Sequence, residues 1–412
     1  MPQAQAYRWV VLAVATIAQA SACFVVQGMG TLAPYIQSAL HLRASEIGLL
    51  VSAAQLVPLV GLLLAGELLD RFGERVTVGV GVIMVAIALA AGSSASSYKS
   101  LLVWLVAIGV GYSTVQPGGS KLVAHWFSGS QRGLALGIRQ AGLPIGGALA
   151  AFIFPIVVGT GNWQAAFLLG SAVALVGGTL FILIYRSPGA VRKQTDVQKT
   201  PMLMARLELL QNSAMRKIVW SGMTLMGNQY GILVFFTLYL RDRFGAPAAL
   251  GARLLLIVLV AGAIGRVILA AWSDRCRAGR YVPVATCMCA TAAGLLALVL
   301  LPSASMLSIS LIAVCLGFFG FGWFGPWIAY VAEFAPPQRA GFGISLAMTF
   351  NQVTVIVCPP ALGTLKDFAG NYTALWLALV AALTIAAVMT TIPNSAAVCL
   401  TEITGKPGDP LH

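Results

Sequence analysis

Apolar residues in this chain form long runs that are interrupted at intervals by short polar stretches. A helix needs about 20 apolar residues to cross the hydrocarbon core of a bilayer. Twelve runs are long enough when charged residues and Gly/Pro/Ser clusters are taken as their ends. The pattern therefore predicts an all-α membrane protein with twelve transmembrane helices. The predicted spans are 9–36, 45–68, 77–95, 101–124, 133–158, 163–185, 215–240, 249–272, 281–301, 305–333, 340–366 and 372–393.

Composition agrees with a membrane protein and excludes several functions. Charged residues make up 9% of the 412 residues, against about 25% in soluble domains. The charges punctuate the apolar runs instead of clustering on one face, which excludes a nucleic-acid partner. No His/Asp/Glu cluster or nucleophile constellation lies within the spans, and the seven cysteines have neither disulfide nor metal-site spacing. The sequence thus predicts no enzyme activity, no cofactor and no metal site, and the lipid bilayer as its surroundings.

Lysines and arginines are distributed unequally between the two sides of the membrane. With the N-terminus inside, sixteen of the 25 lie in cytoplasmic segments, six lie on the opposite side and three lie within spans. Because short cytoplasmic loops accumulate these residues, both termini are predicted to be cytoplasmic. The net charge of +13 follows from this asymmetry. Short loops without extra domains favour a multi-pass protein of a bacterial inner membrane.

The chain divides into two similar halves. We predict a first six-helix bundle over 1–186, a cytoplasmic linker over 187–214, a second bundle over 215–395 and a cytoplasmic tail over 396–412. The segment 66–75 after span two is echoed by 270–275 after span eight, at an offset of 204. The same offset relates Tyr35 to Tyr239, and Gln131-Arg132 before span five recurs as Gln338-Arg339 before span eleven. Three matches in the same order indicate a duplication.

Twelve spans in two halves, with a GxxxDRxGxR motif between spans two and three, resemble the major facilitator superfamily over the whole chain. The resemblance implies two pseudo-symmetric bundles that rock about a central cavity by alternating access. It also implies that the loop motif is a gate, because charges at helix ends can pair with the neighbouring bundle and must separate when the inner mouth opens. The gating residues would be Gly66, Asp70, Arg71, Gly73 and Arg75, with Asp274 and Arg275 from the second copy.

Polar side chains within the spans indicate which helices surround the pathway. Charged or amide residues occur inside spans one, two, four, five, seven, eight and eleven, but not in the interior of spans three, six, nine and twelve. Polar groups in hydrocarbon must face protein or a watery cavity. Spans three, six, nine and twelve are therefore predicted to face lipid.

Three cations lie within spans, and no acid does. Lys121, Arg139 and Arg266 lack an evident buried carboxylate partner, since all twelve acids fall in loops or at span ends. A buried unpaired cation is costly, and a guanidinium matches a carboxylate bidentately. We therefore predict that the missing partner is the substrate, a small organic anion. The alternative is structural: the arginines could bond to carbonyls of neighbouring helices, and Lys121 could extend to the membrane surface.

A closer resemblance concerns Arg266. In the monocarboxylate transporter and oxalate/formate antiporter families an arginine of span eight binds the substrate carboxylate, and Arg266 is similar in position. The stretch 126–137, with Trp126-Phe127 and Arg132-Gly133-Leu134-Ala135-Leu136-Gly137, also resembles those families. This chain departs from them in two ways. Gly262 stands where the monocarboxylate family has an aspartate, and span eleven offers Asn351 and Gln352 where the oxalate carrier has a lysine, so proton coupling and a two-cation clamp are not implied.

Neutral residues complete the predicted substrate site. Amides can bond to a carboxylate or hydroxyl, and an aromatic stripe in span ten could line the cavity; interhelical hydrogen bonds and packing are the alternatives. These candidates are Gln27, Gln140, Asn228, Gln229, Tyr230, Trp323, Trp327, Asn351 and Gln352.

The predicted function is secondary active transport of a small mono- or dicarboxylate, with protons as a second candidate partner and a monomer as the expected state. Two alternatives stay open. The first is a drug/proton antiporter of the same superfamily, because Gly142-Leu143-Pro144-Ile145-Gly146-Gly147 resembles the GPxxGG motif of those antiporters, although it is one residue short. The second is a non-transporting receptor, which would share the architecture.

Overall fold

The chain is helical almost throughout. A computed structural model describes residues 2–127, 131–159, 162–186, 211–276, 278–302, 305–334 and 340–391. The helices are α1 (Pro2–Leu40), α2 (Ala44–Gly92), α3 (Tyr98–Tyr112), α4 (Val115–Trp126), α5 (Gln131–Gly159), α6 (Trp163–Ile184), α7 (Ser213–Phe244), α8 (Ala248–Arg275), α9 (Tyr281–Leu300), α10 (Met306–Gly322), α11 (Phe324–Phe334), α12 (Ala340–Ala369) and α13 (Thr373–Thr391).

The predicted all-α membrane fold is confirmed. Eleven described segments are long and apolar enough to cross a membrane. The remaining predicted span is α7, a continuous helix of 32 residues whose adjacent central amides, Asn228 and Gln229, lower its hydropathy. Spans two and three both lie in α2, and the chain turns between them at Gly73, where φ is 74°. Only glycine adopts that angle without strain, because it has no Cβ.

Two predicted spans are each divided into two helices. Span four consists of α3 and α4 with a break at residues 113–114, and span ten consists of α10 and α11 with a break at Trp323. Proline has no N–H, so Pro117 and Pro326 each leave the carbonyl four residues earlier without its helical partner. Those carbonyls belong to Ser113 and Gly322, beside the breaks. The duplicated halves therefore share a broken fourth helix.

Spans three, six, nine and twelve present apolar side chains to the outside. Ile87, Leu183, Leu300 and Val388 are each more than half exposed. Their backbone groups are bonded within helices, which is the requirement for contact with hydrocarbon. This exposure agrees with the prediction that these four spans face lipid.

The first half comprises α1–α6 and the second α7–α13. We call the end of the molecule with segments 66–75 and 270–280 the motif end, and the end with 41–45, 241–247 and 367–372 the far end. Small residues bring the halves together towards the far end: a Cβ on Gly30 of α1 would lie 1.7 Å from the Leu233 carbonyl oxygen of α7. The predicted linker at 187–214 lies mostly outside the described residues and the tail at 396–412 wholly so, and the domain boundaries stay a prediction.

Candidate functional site

A cavity lies between the two halves, near the middle of the helices. Its lining comes from spans one, two, four, five, seven, eight, ten and eleven, and none of the described lining residues belongs to the four spans predicted to face lipid. This lining agrees with the prediction that the other eight spans surround the pathway. The lining residues are Gln27, Gln55, Pro58, Tyr112, Ser113, Gln116, Gln140, Leu143, Met226, Gln229, Tyr230, Arg266, Phe324, Met348, Gln352 and Val355.

Arg266 is the one cation in this lining. Its Nε donates to the Phe321 carbonyl at 3.1 Å, and its Nη1 donates to the Gln140 carbonyl of the other half at 2.9 Å. The guanidinium carbon lies 5.6 Å from the ring centroid of Phe324. Nη2 has no hydrogen-bond partner among the described residues, and none of the described carboxylates pairs with the side chain. The positive charge is therefore available to an anion in the cavity.

Close packing of α8 against α10 positions Arg266. A Cβ on Gly262 would lie 2.6 Å from the Phe321 Cβ, and one on Gly265 would lie 2.3 Å from the Phe318 carbonyl oxygen. These glycines let the two helices touch through their backbones. As a result the Arg266 side chain reaches the Phe321 carbonyl, which orients the guanidinium towards the cavity.

Arg139 is buried but does not line the cavity. Its Nη1 donates to Gln19 Oε1 at 3.0 Å, and its Nη2 donates to Gln116 Oε1 at 2.8 Å and to Ser120 Oγ at 3.2 Å. Its exposure is 0%. The structure thus encloses this predicted substrate ligand among neutral polar groups of α1 and α4, and only Gln116 connects it with the cavity.

Lys121 lies at the motif end and not at the cavity. Its Nζ is 2.6 Å from Asp70 Oδ1 and also donates to the Leu69 carbonyl at 3.3 Å. Lys121 therefore has a carboxylate partner, but that partner is an exposed acid at the end of span two and not a buried one, since the Asp70 side chain is 79% exposed.

Five predicted neutral residues line the cavity, namely Gln27, Gln140, Gln229, Tyr230 and Gln352. Two of them are held by neighbours. Trp323 Nε1 donates to Gln229 Oε1 at 3.0 Å, and Gln352 Nε2 donates to Gln55 at 2.9 Å (backbone carbonyl) and 3.2 Å (Oε1).

Four other candidates do not line it. Trp323 and Trp327 are fully buried and pack together with ring centroids 5.5 Å apart, so the aromatic stripe forms core. The side chains of Asn228 and Asn351 are buried and have no hydrogen-bond partner among the described residues.

Sequence reasoning missed several lining residues. Gln55 and Gln116 interrupt the apolar pattern of their spans, and that signal could have identified them as candidates. Phe324 and Met348 carry no comparable signal, because apolar residues are the rule in a span. The break beside Ser113 is signalled only by Pro117.

The gating motif makes its described ion pairs within each half. Asp70 pairs with Lys121, and Asp274 pairs with Arg280 at 3.0 Å. Arg75 Nε donates to the Ile182 carbonyl of α6 at 2.6 Å. Within the part of the chain that the structure describes, Arg71 and Arg275 make no ion pair across the halves. Gly73 forms the turn, and the Arg71 guanidinium lies over the Phe72 ring.

Hydrogen bonds between the halves occur at the cavity and towards the far end. Asp367 of α12 accepts from the backbone N–H groups of Ala44 and Ser45, at 3.1 and 2.9 Å. Arg241 donates to Gln37 Oε1 at 2.6 Å, and Ser52 donates to the Ile356 carbonyl at 2.6 Å.

Two repeated helical bundles around a buried polar cavity define a membrane transporter. Residues 15–359 match the Major Facilitator Superfamily, and the chain belongs to that family. Its members are transporters and not enzymes, as predicted from the sequence.

Relatives and solved structures agree with this assignment. The chain is 29% identical over 379 residues to an uncharacterized MFS-type transporter of Mycobacterium tuberculosis, covering 89% of this chain and 81% of the relative. It is 24% identical over 242 residues to the hexuronate transporter of Bacillus subtilis, covering 57% and 56%. The structure of a bacterial homologue of the human lysosomal transporter Spinster superposes with a TM-score of 0.78 at 15% identity, covering 93% and 96%. That likeness shows the fold.

Proposed function

We propose that this protein is a secondary active transporter that carries a small organic anion across the membrane by alternating access. The observation that carries the proposal is Arg266, a cation in the central cavity with no carboxylate partner among the described residues. An uncompensated charge in a low dielectric is costly, and a bound carboxylate offsets that cost.

The charge of the lining favours a monocarboxylate over a dicarboxylate. The described lining contains one arginine and no acid, so one carboxylate neutralises it and a second would be left unpaired. Arg139 does not supply a second free charge, because three hydrogen bonds to Gln19, Gln116 and Ser120 hold its guanidinium. The Bacillus subtilis relative is named for hexuronate, a sugar acid with one carboxylate.

Alternating access requires gates at both ends of the cavity. In our proposal the far-end bonds of Asp367 and Arg241 break when the cavity opens on that side. Asp70 and Asp274 then exchange their partners within each half for partners across the halves, which closes the motif end. The excess of Lys and Arg supports a cytoplasmic motif end, with both termini on the same side. A monomer suffices, since both halves of the cavity come from one chain.

The carrier proposal is tested by ligand-dependent stability and by transport. Purified protein is screened by thermal shift against monocarboxylates, dicarboxylates and lipophilic cations, and uptake of the stabilising solute is measured in proteoliposomes. Ligands that bind only the folded state raise its melting temperature. We expect monocarboxylates to stabilise the wild type and Arg266→Lys to lose most uptake, because lysine keeps the charge but lacks the bidentate fork.

Other results would select the alternatives. Stabilisation by lipophilic cations alone, unaffected by Arg266→Lys, would favour a drug/proton antiporter. Stabilisation by a carboxylate without movement into proteoliposomes would favour a receptor. The same uptake assay run with and without a proton gradient determines whether protons are the coupled partner.

A further inference from the structure

Glutamine is the dominant polar residue of the central cavity. Six of the sixteen lining residues are glutamines, contributed by α1, α2, α4, α5, α7 and α12. A site for a simple carboxylate needs donors only, because an ionised carboxylate only accepts hydrogen bonds. Six amides exceed that requirement, since each carries an acceptor as well as donors.

In three of these glutamines, a hydrogen bond to a neighbouring residue determines whether the amide oxygen or the amide nitrogen is left for a ligand. Gln116 Oε1 accepts from Arg139 and Gln229 Oε1 accepts from Trp323, which leaves the amide nitrogens of both as donors for a ligand. Gln352 uses its Nε2 to bond Gln55, which leaves its Oε1 as an acceptor. The cavity therefore offers donors and acceptors from fixed positions.

Two of the lining amides also have an atom with no partner. Gln140 Oε1 and Gln55 Nε2 are both buried and unbonded in the part of the chain that the structure describes. A free acceptor inside the membrane is costly until a donor reaches it. A carboxylate or an apolar chain cannot donate to Gln140 Oε1, whereas a hydroxyl both donates and accepts.

We infer that the cavity selects a polyhydroxylated monocarboxylate, a ligand of the sugar-acid class. Its carboxylate pairs with Arg266, and its hydroxyls bond to the glutamines that line both halves. This inference rests on the proposed function. It adds that Gln140 and the other cavity amides determine which carboxylates bind, by rejecting acids that leave them unpaired.

The test compares ligands of similar length that differ in their hydroxyl groups. Binding to the purified full-length protein is measured by calorimetry for gluconate, galactonate, glucuronate and galacturonate, and for hexanoate and benzoate. We expect the tightest hydroxylated acid to bind at least about 100-fold more tightly than either apolar acid, because a site built to bond hydroxyls rejects analogues that lack them.

Variants separate the amides from the cation. Gln140→Met should weaken binding of the hydroxylated acid about three- to tenfold, the loss expected for one hydrogen bond, and change hexanoate binding less. Gln164→Met is the matched control, because Gln164 also has a buried, unbonded Oε1 but lies on α6, outside the cavity. It should leave both affinities unchanged.

The outcomes distinguish this inference from the carrier proposal. Hexanoate or benzoate binding as tightly as the hydroxylated acids, with Arg266→Met abolishing all binding, would overturn the inference and leave an anion carrier. No binding by any carboxylate, or binding that is indifferent to Arg266→Met, would overturn the proposed function as well.

Discussion

Arg139 and Arg266 present the same signal in the sequence and occupy opposite environments in the structure. Each is an arginine within a span, nine residues or fewer from a loop that carries charges, and neither pairs with a described carboxylate. Arg139 is enclosed by Gln19, Gln116 and Ser120. Arg266 has two backbone carbonyls for partners, one of them in the other half, and faces the cavity.

The difference shows that a buried cation is not by itself a ligand site. Gln19, Gln116 and Ser120 accept hydrogen bonds from Nη1 and Nη2 of Arg139. Its Nε is buried without a partner among the described residues, and the side chain does not line the cavity. The carbonyls around Arg266 accept hydrogen bonds from Nε and Nη1 only. Its Nη2 therefore remains available to a ligand in the cavity. Both arginines are buried and each has one guanidinium nitrogen without a partner among the described residues, so what distinguishes them is that only Arg266 lines the cavity.

The largest effects should come from removing the charge of either arginine, with ligand affinity affected in one case and stability in the other. We expect Arg266→Met to weaken carboxylate binding by about 100-fold or more, as for a desolvated charge pair, and to leave the unliganded melting temperature unchanged or higher. Arg139→Met should leave affinity within about threefold. It should lower stability by about 2–4 kcal/mol, because the oxygens of Gln19 and Gln116 lose their donor. Calorimetry and thermal unfolding measure both. An Arg139→Met protein of wild-type stability that has lost affinity would reverse the two assignments.

Changing the helix packing that positions Arg266 should have an intermediate effect. Gly265→Ala would place a Cβ 2.3 Å from the Phe318 carbonyl oxygen, so α8 must move from α10 and carry Arg266 with it. We expect about a tenfold loss of affinity, since displacements of about 1 Å cost up to 100-fold in well-aligned sites. Gly137→Ala is the control near Arg139, because its Cβ would meet nothing within 4 Å. Equal affinities for both variants would show that the contact does not position Arg266.

The third intramembrane cation should show the smallest effect on binding. Lys121 pairs with Asp70, whose side chain is 79% exposed, and exposed pairs contribute about 0–1 kcal/mol. We expect Asp70→Asn to leave affinity within about twofold and to lower the initial uptake rate at saturating solute, because the pair belongs to the proposed gate. Uptake at the wild-type rate would remove Asp70 from that gate, and a loss of affinity would connect Lys121 with the cavity.

Much of the site could be predicted because hydrocarbon penalises polar groups so strongly. Arg266, Gln140 and Gln229 stood out against apolar neighbours, and all three line the cavity. The same reasoning placed spans three, six, nine and twelve on the outside. Asn228 directly precedes Gln229, and Asn351 directly precedes Gln352. Each pair has the same amide chemistry, so the sequence pattern alone could not show that the two asparagines lie off the cavity. Adjacent residues on a helix point about 100° apart, and helix rotation is set by packing.

The breaks in spans four and ten show a similar limit. Pro117 and Pro326 are visible in the sequence, yet a proline within a membrane helix is compatible with a kink, a break or an unbroken helix whose neighbours satisfy the freed carbonyl. The structure ends α3 and α10 beside them. It thereby brings Ser113 and Phe324 to the cavity wall.

The sequence by itself determined the membrane spans, their duplication, the family and the presence of cations without acids in hydrocarbon. Those properties depend on the transfer free energy of each segment and on the order of segments along the chain, and neither requires knowledge of which helices touch. Only the tertiary structure decided that Arg139 bonds to neutral side chains of the first half, that Lys121 pairs with Asp70, and that Arg266 shares a cavity with six glutamines from both halves. Each depends on which helices touch and at what rotation, and that is decided by the packing of glycines and side chains far apart in the chain.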